Sequence, residues 1–230
     1  MKRRDFLGFI ALLGLSFNRG FSGVLDAFRK HKSSLPPPGK YTPASQLFIV
    51  DIKGVPNAIR TLKDYTLRVY GKVENPRYFT IQDLKSLPTI RKEVVLECVS
   101  NSKGDKIGRI LVEGVDLNTI LSIVKPLQKA RKVVFRSFDD YHTSIEIPYV
   151  KELSPILAYG INYDEDGKVI DRLPLDHGYP VRVVCPEKWG YKSVKWIKEI
   201  EIVDYDYKGY WEKTGWNDRA TRGVDYFDYN

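Results

Sequence analysis

The 230-residue sequence is short of several features, and each shortage removes a class of function. It holds two cysteines, Cys98 and Cys185, with no CxxC spacing, so the cysteines alone form no zinc site. Neither the P-loop pattern nor the dinucleotide fingerprint occurs, which disfavours ordinary NTP or NAD binding. No apolar run reaches the roughly 20 residues that a membrane span needs. Internal repeats, low-complexity tracts and a βαβ rhythm are all missing, so a doubly wound parallel sheet is not indicated. Blocks of one charge are lacking as well. The formal net charge is +8, but Lys2, Arg3, Arg4, Arg19, Arg29 and Lys30 against Asp5 and Asp26 put half of it in the first 30 residues. The other basic residues are interspersed with acids, which argues against nucleic-acid binding.

What is present suits one domain with trimmings. A hydrophobic share of 43% and an aromatic share of 13% supply a substantial core. Arg3-Arg4-Asp5-Phe6-Leu7 runs into a short apolar stretch ending at Phe17, a pattern that reads as a twin-arginine export signal. An amphipathic N-terminal helix is the structural alternative. No clean A-x-A cleavage site follows, so removal of the leader and its retention as an anchor are both open. The expected organisation is a signal over 1–30, a linker over 31–45 with Pro36-Pro37-Pro38-Gly39, a folded domain over 46–204, and an aromatic tail over 205–230 packed on that domain. The expected location is periplasmic or otherwise extracytoplasmic.

Leu67, Val69, Gly71 and Val73 alternate with polar residues, which predicts a strand over Tyr65–Val73. Thr80 is placed to cap a helix running to Leu87, and Pro88 stops it. Arg91–Val99 reads as a buried strand. Asp116 caps a helix that puts Leu117, Ile120, Leu121 and Val124 on one face. Lys132–Arg136, Thr143–Ile147, Ile156–Asn162, Val181–Cys185 and Lys195–Val203 are further strands, with a turn at Asp164–Gly167. Short strands outnumber helices, so the predicted class is a mixed, β-rich α+β domain.

Two segments could carry chemistry. In Leu96-Glu97-Cys98-Val99-Ser100-Asn101-Ser102-Lys103-Gly104 a thiol ends a buried strand and opens into a polar loop. A thiolate there is a soft anionic metal donor, and Lys103 and Lys106 would favour its ionised form; on local grounds alone a core cysteine fits at least as well. Cys185, inside Val181–Cys185, reads as a buried small hydrophobe. The second segment joins Asp176-His177-Gly178-Tyr179-Pro180-Val181-Arg182 to Gly190-Tyr191-Lys192-Ser193-Val194-Lys195-Trp196. Gly190 permits close backbone approach, while Lys192, Ser193, Lys195, Arg182 and His177 offer charge and donors to a phosphate; a surface loop of ordinary basic residues is the alternative.

Together these segments resemble the molybdopterin-binding domain of the sulfite oxidase family, with its Cys at a strand end, H-G-x-P-x-R stretch and G-x-[KR]-S-x-K-W stretch. The likeness runs from about Tyr41 to the C-terminus, through Tyr65–Gly71, Gly114-Val115-Asp116-Leu117 and Gly209–Trp216. It implies a molybdenum–molybdopterin cofactor with one pterin dithiolene, and Cys98 as the protein's ligand to the metal. It implies that His177, Arg182, Lys192, Ser193, Val194 and Lys195 hold the pterin and its phosphate, with Ser137 or Asp139 as a further contact. Tyr141 falls beside the metal; with His142 and Arg109 it is a candidate for substrate contact or proton supply.

The departures matter. Asp51 stands where sulfite oxidases carry an arginine that receives the substrate anion, and an acid there repels sulfite unless a neighbour neutralises it. The usual W-x-G-V is Val112-Glu113-Gly114-Val115, and Val99-Ser100-Asn101-Ser102 replaces an arginine-rich loop. The chain reads as a minimal, exported family member with neither a haem-binding nor an immunoglobulin-like domain. The expected activity is oxygen-atom transfer to or from a small substrate, with electrons carried by a separate redox partner. Reduction of an S- or N-oxide, such as a methionine sulfoxide, is the close alternative; a non-catalytic binding module on the same fold is the alternative from another class.

Overall fold

The computed structural model describes residues 35–163, 169–170 and 173–227. The expected leader and the expected Asp164–Gly167 turn lie outside the described residues. The strands are β1 (Thr66–Gly71), β2 (Arg77–Thr80), β3 (Thr89–Glu97), β4 (Ile107–Asp116), β5 (Lys132–Ser137), β6 (His142–Glu146), β7 (Ile156–Tyr163), β8 (Val169–Ile170), β9 (Arg182–Val184) and β10 (Ile197–Val203). Among the described residues four short helices intervene: α1 (Asn57–Arg60), α2 (Ile81–Ser86), α3 (Leu117–Val124) and α4 (Ile147–Leu153). This is the predicted β-rich α+β class.

Two sheets carry the architecture. One has the order β2-β1-β10-β5-β6, with β1 and β10 parallel and the other pairs antiparallel. The other runs β3-β4-β7-β8, with β9 pairing the opposite end of β7. Alternation along β7 explains why the second sheet is buried on both faces. Leu157 and Tyr159 point into a core shared with the first sheet and α3, whereas Ile156 and Ala158 point into a second core; a register shift against β4 at Glu113/Gly114 then turns Ile161 to that second core as well. On β9, Val183 and Val184 divide in the same way. The long strands β3 and β4 pair through nine consecutive positions and end at the cysteine loop, so the thiol emerges from rigid structure.

The predicted caps are in place. Thr80 forms a reciprocal capping box with Asp83 at the start of α2, and the Asp116 side chain accepts from the Asn118 amide at the start of α3. Three predictions need correction. β4 went unrecognised because Gly108 and Gly114 sit on the buried face and interrupt the apolar alternation. The strand predicted to Ile147 stops at Glu146, and α4 follows with Pro148 in its first turn, where proline is pre-shaped for a helix. The packed chain also begins before Gln46. Thr42 and Ala44 are buried, the Thr42 amide donates to Arg109 O at 2.8 Å, and the Arg109 amide donates to Thr42 Oγ1 at 3.1 Å.

The capping box gives a direct check on these local rules. Thr80→Ala is expected to lower stability by about 1 kcal/mol in urea unfolding with an unchanged m-value. No change in the midpoint would mean that α2 is held by packing of Leu84 alone.

Candidate active site

A cavity of about 170 Å³ opens where the two sheets' loops meet. Cys98 stands at its wall, just past the end of β3, and is partly exposed. Its amide donates to Lys106 O at 3.0 Å and its carbonyl accepts from the Asn101 amide at 2.9 Å, which turns the loop tightly around the thiol. The sulfur lies 3.2 Å from Ser100 Oγ, and Lys106 Nζ donates to that same hydroxyl at 3.3 Å. Negative charge on the sulfur is thus supported by a hydroxyl that a lysine polarises.

The loop after β9 comes down onto the cysteine because Gly190 has no side chain. A Cβ there would sit 3.1 Å from Glu97 O and 3.9 Å from Cys98 Cα. Gly178 makes the second close approach. It has φ +105°, and a Cβ would lie 2.9 Å from that of Arg182 and 3.2 Å from Lys195 Cα. These two contacts bring His177, Arg182, Ser193 and Lys195 to the cavity that holds Cys98.

The electrostatics are uneven. Arg182 is buried, with NH1 donating to His177 O at 3.0 Å and NH2 to Ser193 O at 3.4 Å. Among the described residues it makes no ion pair, and its Nε is buried without a hydrogen-bond partner. Burial pulls the guanidinium down to about 10. Lys195 is different: its Nζ pairs with Asp51 Oδ2 at 3.3 Å and donates to Asp176 O at 3.0 Å. Burial still draws it down to about 8. His177 is brought to about 4, by burial first and then by Arg182, so the ring is neutral at pH 7. Its Nε2 donates to Ala44 O at 2.8 Å, which leaves Nδ1 without the proton. Asp139 is buried at the cavity, its Oδ1 accepts from the Tyr141 amide at 3.0 Å, and burial raises its carboxyl. The Tyr141 phenol, which burial pushes well above its ordinary value, donates to Tyr191 O at 2.6 Å.

Seven candidates from the sequence therefore line one cavity: Cys98, Asp139, Tyr141, His177, Arg182, Ser193 and Lys195. The others lie apart from it. Ser137 is one step behind, donating to Lys195 O at 2.7 Å. The Val194 side chain is in the main core. Lys192 is buried away from the cavity and paired with Glu212. His142 Nδ1 lies 2.9 Å from Tyr207 Oη, with the ring edge-on to Tyr207 and Tyr210. Arg109 pairs with Glu93 and donates to Pro36 O at 3.1 Å. The geometry thus separates His142 and Arg109 from the cavity that they were expected to serve, and gives Lys192 an internal carboxylate instead of a ligand. Lys103 is exposed, which leaves Lys106 as the lysine beside the thiol. Trp211 and Trp216 also line the cavity. Both belong to the tail expected to pack on the domain, and no local pattern separates a tryptophan that faces a cavity from one that fills a core.

The donor set fits an anionic cofactor that brings a metal. A buried guanidinium with an orphaned Nε lacks an anion, and a phosphate supplies one. Among the described residues no three His, Cys, Asp or Glu side chains converge, so a metal on Cys98 would draw its remaining ligands from elsewhere.

Comparison with known proteins agrees with this chemistry. A family model described as "Oxidoreductase molybdopterin binding domain" matches residues 53–211. The chain is 31% identical over 153 residues to the putative protein-methionine-sulfoxide reductase subunit YedZ1 of Azospira oryzae, covering 66% of this chain and 54% of that protein. It is 26% identical over 204 residues to the sulfite oxidase of Arabidopsis thaliana, covering 69% of this chain and 50% of the relative. The chain thus spans about half the length of these two curated relatives. The crystal structure of the sulfane dehydrogenase SoxCD from Paracoccus pantotrophus is similar in fold, with a TM-score of 0.67 at 20% identity, covering 92% of this chain and 61% of that one.

Two predictions test the anion reading. Arg182→Met should leave the ligand-free chain as stable as before or more stable by about 1–3 kcal/mol, because it removes an uncompensated buried charge. The same variant should lose pterin and molybdenum on purification; destabilisation together with retained cofactor would mean that the guanidinium is satisfied internally. The second prediction concerns pH. With Lys195 drawn down to about 8 from 10.5, the unfolded chain binds the extra proton between those values. The ligand-free chain therefore gains stability from this group as pH rises through that window. A bound anion holds the charge and reverses the trend, which paired melts with and without inorganic pyrophosphate would read.

Proposed function

The chain belongs to the oxidoreductase molybdopterin-binding domain family, and from that membership we propose that it is an exported molybdenum enzyme that reduces a neutral S-oxide. The observation that carries the cofactor assignment is Arg182, a buried cation without a carboxylate partner among the described residues, in the same cavity as a partly exposed thiol. Cys98 would ligate the metal. Arg182, Lys195 and Ser193 would hold the phosphate end of the pterin, and the Nδ1 lone pair of neutral His177 would accept a hydrogen bond from a pterin N–H. When bound, the molybdenum cofactor supplies two-electron oxygen-atom transfer, in which a sulfoxide, two electrons and two protons give a thioether and water.

The protein's own contribution is to bind, orient and handle protons. Ser100, backed by Lys106, steadies negative charge at the Cys98 sulfur. Asp139, a carboxyl at the cavity whose pKa burial raises, would be the acid that delivers one. Tyr141, held by Tyr191 O and far above its ordinary range, orients rather than donates.

Choice of substrate follows from Asp51. Its carboxylate is paired with Lys195, so these two charges compensate one another and, with Arg182 taken by the cofactor's phosphate, no surplus cation is left for a dianion such as sulfite. Most of the cavity wall is apolar, which suits an uncharged oxide with apolar substituents. The name of the Azospira relative points the same way. A separate redox carrier would deliver the electrons, and Arg3-Arg4-Asp5-Phe6-Leu7 supports export by the twin-arginine route.

The test is molybdenum content together with turnover of methyl phenyl sulfoxide and of sulfite, using an artificial electron carrier. Stoichiometric metal and sulfoxide reduction are expected, and Cys98→Ala should retain pterin but lose at least about 100-fold in rate. Robust sulfite oxidation would overturn the reading of Asp51. Full activity without the thiol would remove Cys98 from the site.

A further inference from the structure

The segment after β10 belongs to neither sheet, yet it supplies two tryptophans, Trp211 and Trp216, to the wall of the cavity that holds Cys98. The short 3-10 turn Glu212–Thr214 lies between them. The Glu212 side chain has no exposure, pairs with Lys192 Nζ at 2.5 Å and accepts from the Thr143 hydroxyl. Lys192, equally buried, donates to Ser144 O at 2.9 Å and reaches Asp218 at 3.3 Å. Further anchors act on the backbone. Gly209 lies so close to β6 that a Cβ would be 2.7 Å from Thr143 Cα, and the Tyr210 amide donates to His142 O at 2.8 Å. On the other side of the turn, the Tyr191 hydroxyl donates to Asn217 O at 2.6 Å.

A buried ion pair is a costly way to gain stability, and its best-attested use is to fix one arrangement among several. Here the arrangement fixed is that of the two indoles relative to the loop 190–195. Lys192 lies between Tyr191, whose backbone carbonyl holds Tyr141, and Ser193, which lines the cavity. One lysine therefore ties the anion loop to the aromatic wall. We propose that Trp211 and Trp216 are specificity-determining residues that contact the apolar substituents of the substrate, and that the Glu212–Lys192 pair positions them. The proposal rests on the S-oxide reading above. In it, the compensated Asp51–Lys195 pair leaves apolar contact as the main source of selection among neutral oxides.

The experiment uses the cofactor-loaded enzyme and calorimetric binding of two sulfones, which resemble sulfoxides but are not reduced. Trp211→Ala and Trp216→Ala are expected to weaken binding of methyl phenyl sulfone about tenfold, and to change dimethyl sulfone by less than about twofold. Trp216→Phe should restore most of the loss. Glu212→Gln should show the same selectivity pattern in weaker form, with KM for methyl phenyl sulfoxide raised and kcat held, a split that general structural damage would not give. Equal loss for both sulfones, or no loss for either, in both alanine variants overturns the wall. Sulfoxide turnover by the wild-type enzyme alongside unchanged sulfone binding in the variants would sink this proposal and leave the S-oxide reading standing. Selective loss of the aryl sulfone without sulfoxide turnover would do the reverse.

Discussion

Arg182 is a guanidinium taken out of water and met by two carbonyl oxygens and no carboxylate among the described residues. Those carbonyls belong to His177 and Ser193, so one cation joins the turn before β9 to the loop after it. Both joins depend on chain that can come close: Gly178 against Arg182 and Lys195, and Gly190 against the carbonyl of Glu97. The same approach sets the anion loop beside Cys98. Positive charge and thiol thus share one cavity because two glycines let backbone reach backbone.

Four cations are enclosed along one stretch of chain, and their fates differ: Lys188 sits 4.4 Å from the Tyr149 ring. Arg182 is left for an anion from outside. Lys195 is answered by Asp51, from a segment more than a hundred residues earlier. Lys192 is answered by Glu212, from the segment that closes the cavity with tryptophans. Each buried charge needs a partner close at hand, since the desolvation cost of leaving it alone amounts to several kcal/mol. The partner then decides the role. An external phosphate makes a binding residue, an internal carboxylate at the cavity tempers the charge that a second residue offers to the same anion, and an internal carboxylate behind the wall makes a structural clamp.

The fold class was legible because it rests on local rules. The Thr80 and Asp116 caps and the alternation in β1 are short-range patterns, and the structure places each of them as read. β4 escaped because glycines stand at its buried positions, where packing against Thr42, Leu47 and the β7 backbone leaves no room for side chains. α4 escaped because five apolar or polar residues before a proline look alike in a strand and in a helix entry. At the site, Cys98, His177, Arg182, Ser193 and Lys195 were legible as two motifs. His142 and Arg109, candidates for substrate contact or proton supply, each face a partner of their own, Tyr207 and Glu93.

Cys98 at the end of a rigid strand, and a basic, glycine-bearing stretch able to cradle a phosphate, are properties of the sequence itself, because residue type and spacing along a few residues suffice for them. Whether each cation in that stretch faces a ligand, an acid at the cavity or an acid behind it is a matter of tertiary structure alone. The partners, Asp51 and Glu212, arrive from opposite ends of the chain, and the Coulomb energy that assigns them depends on distance in space, which no local pattern encodes.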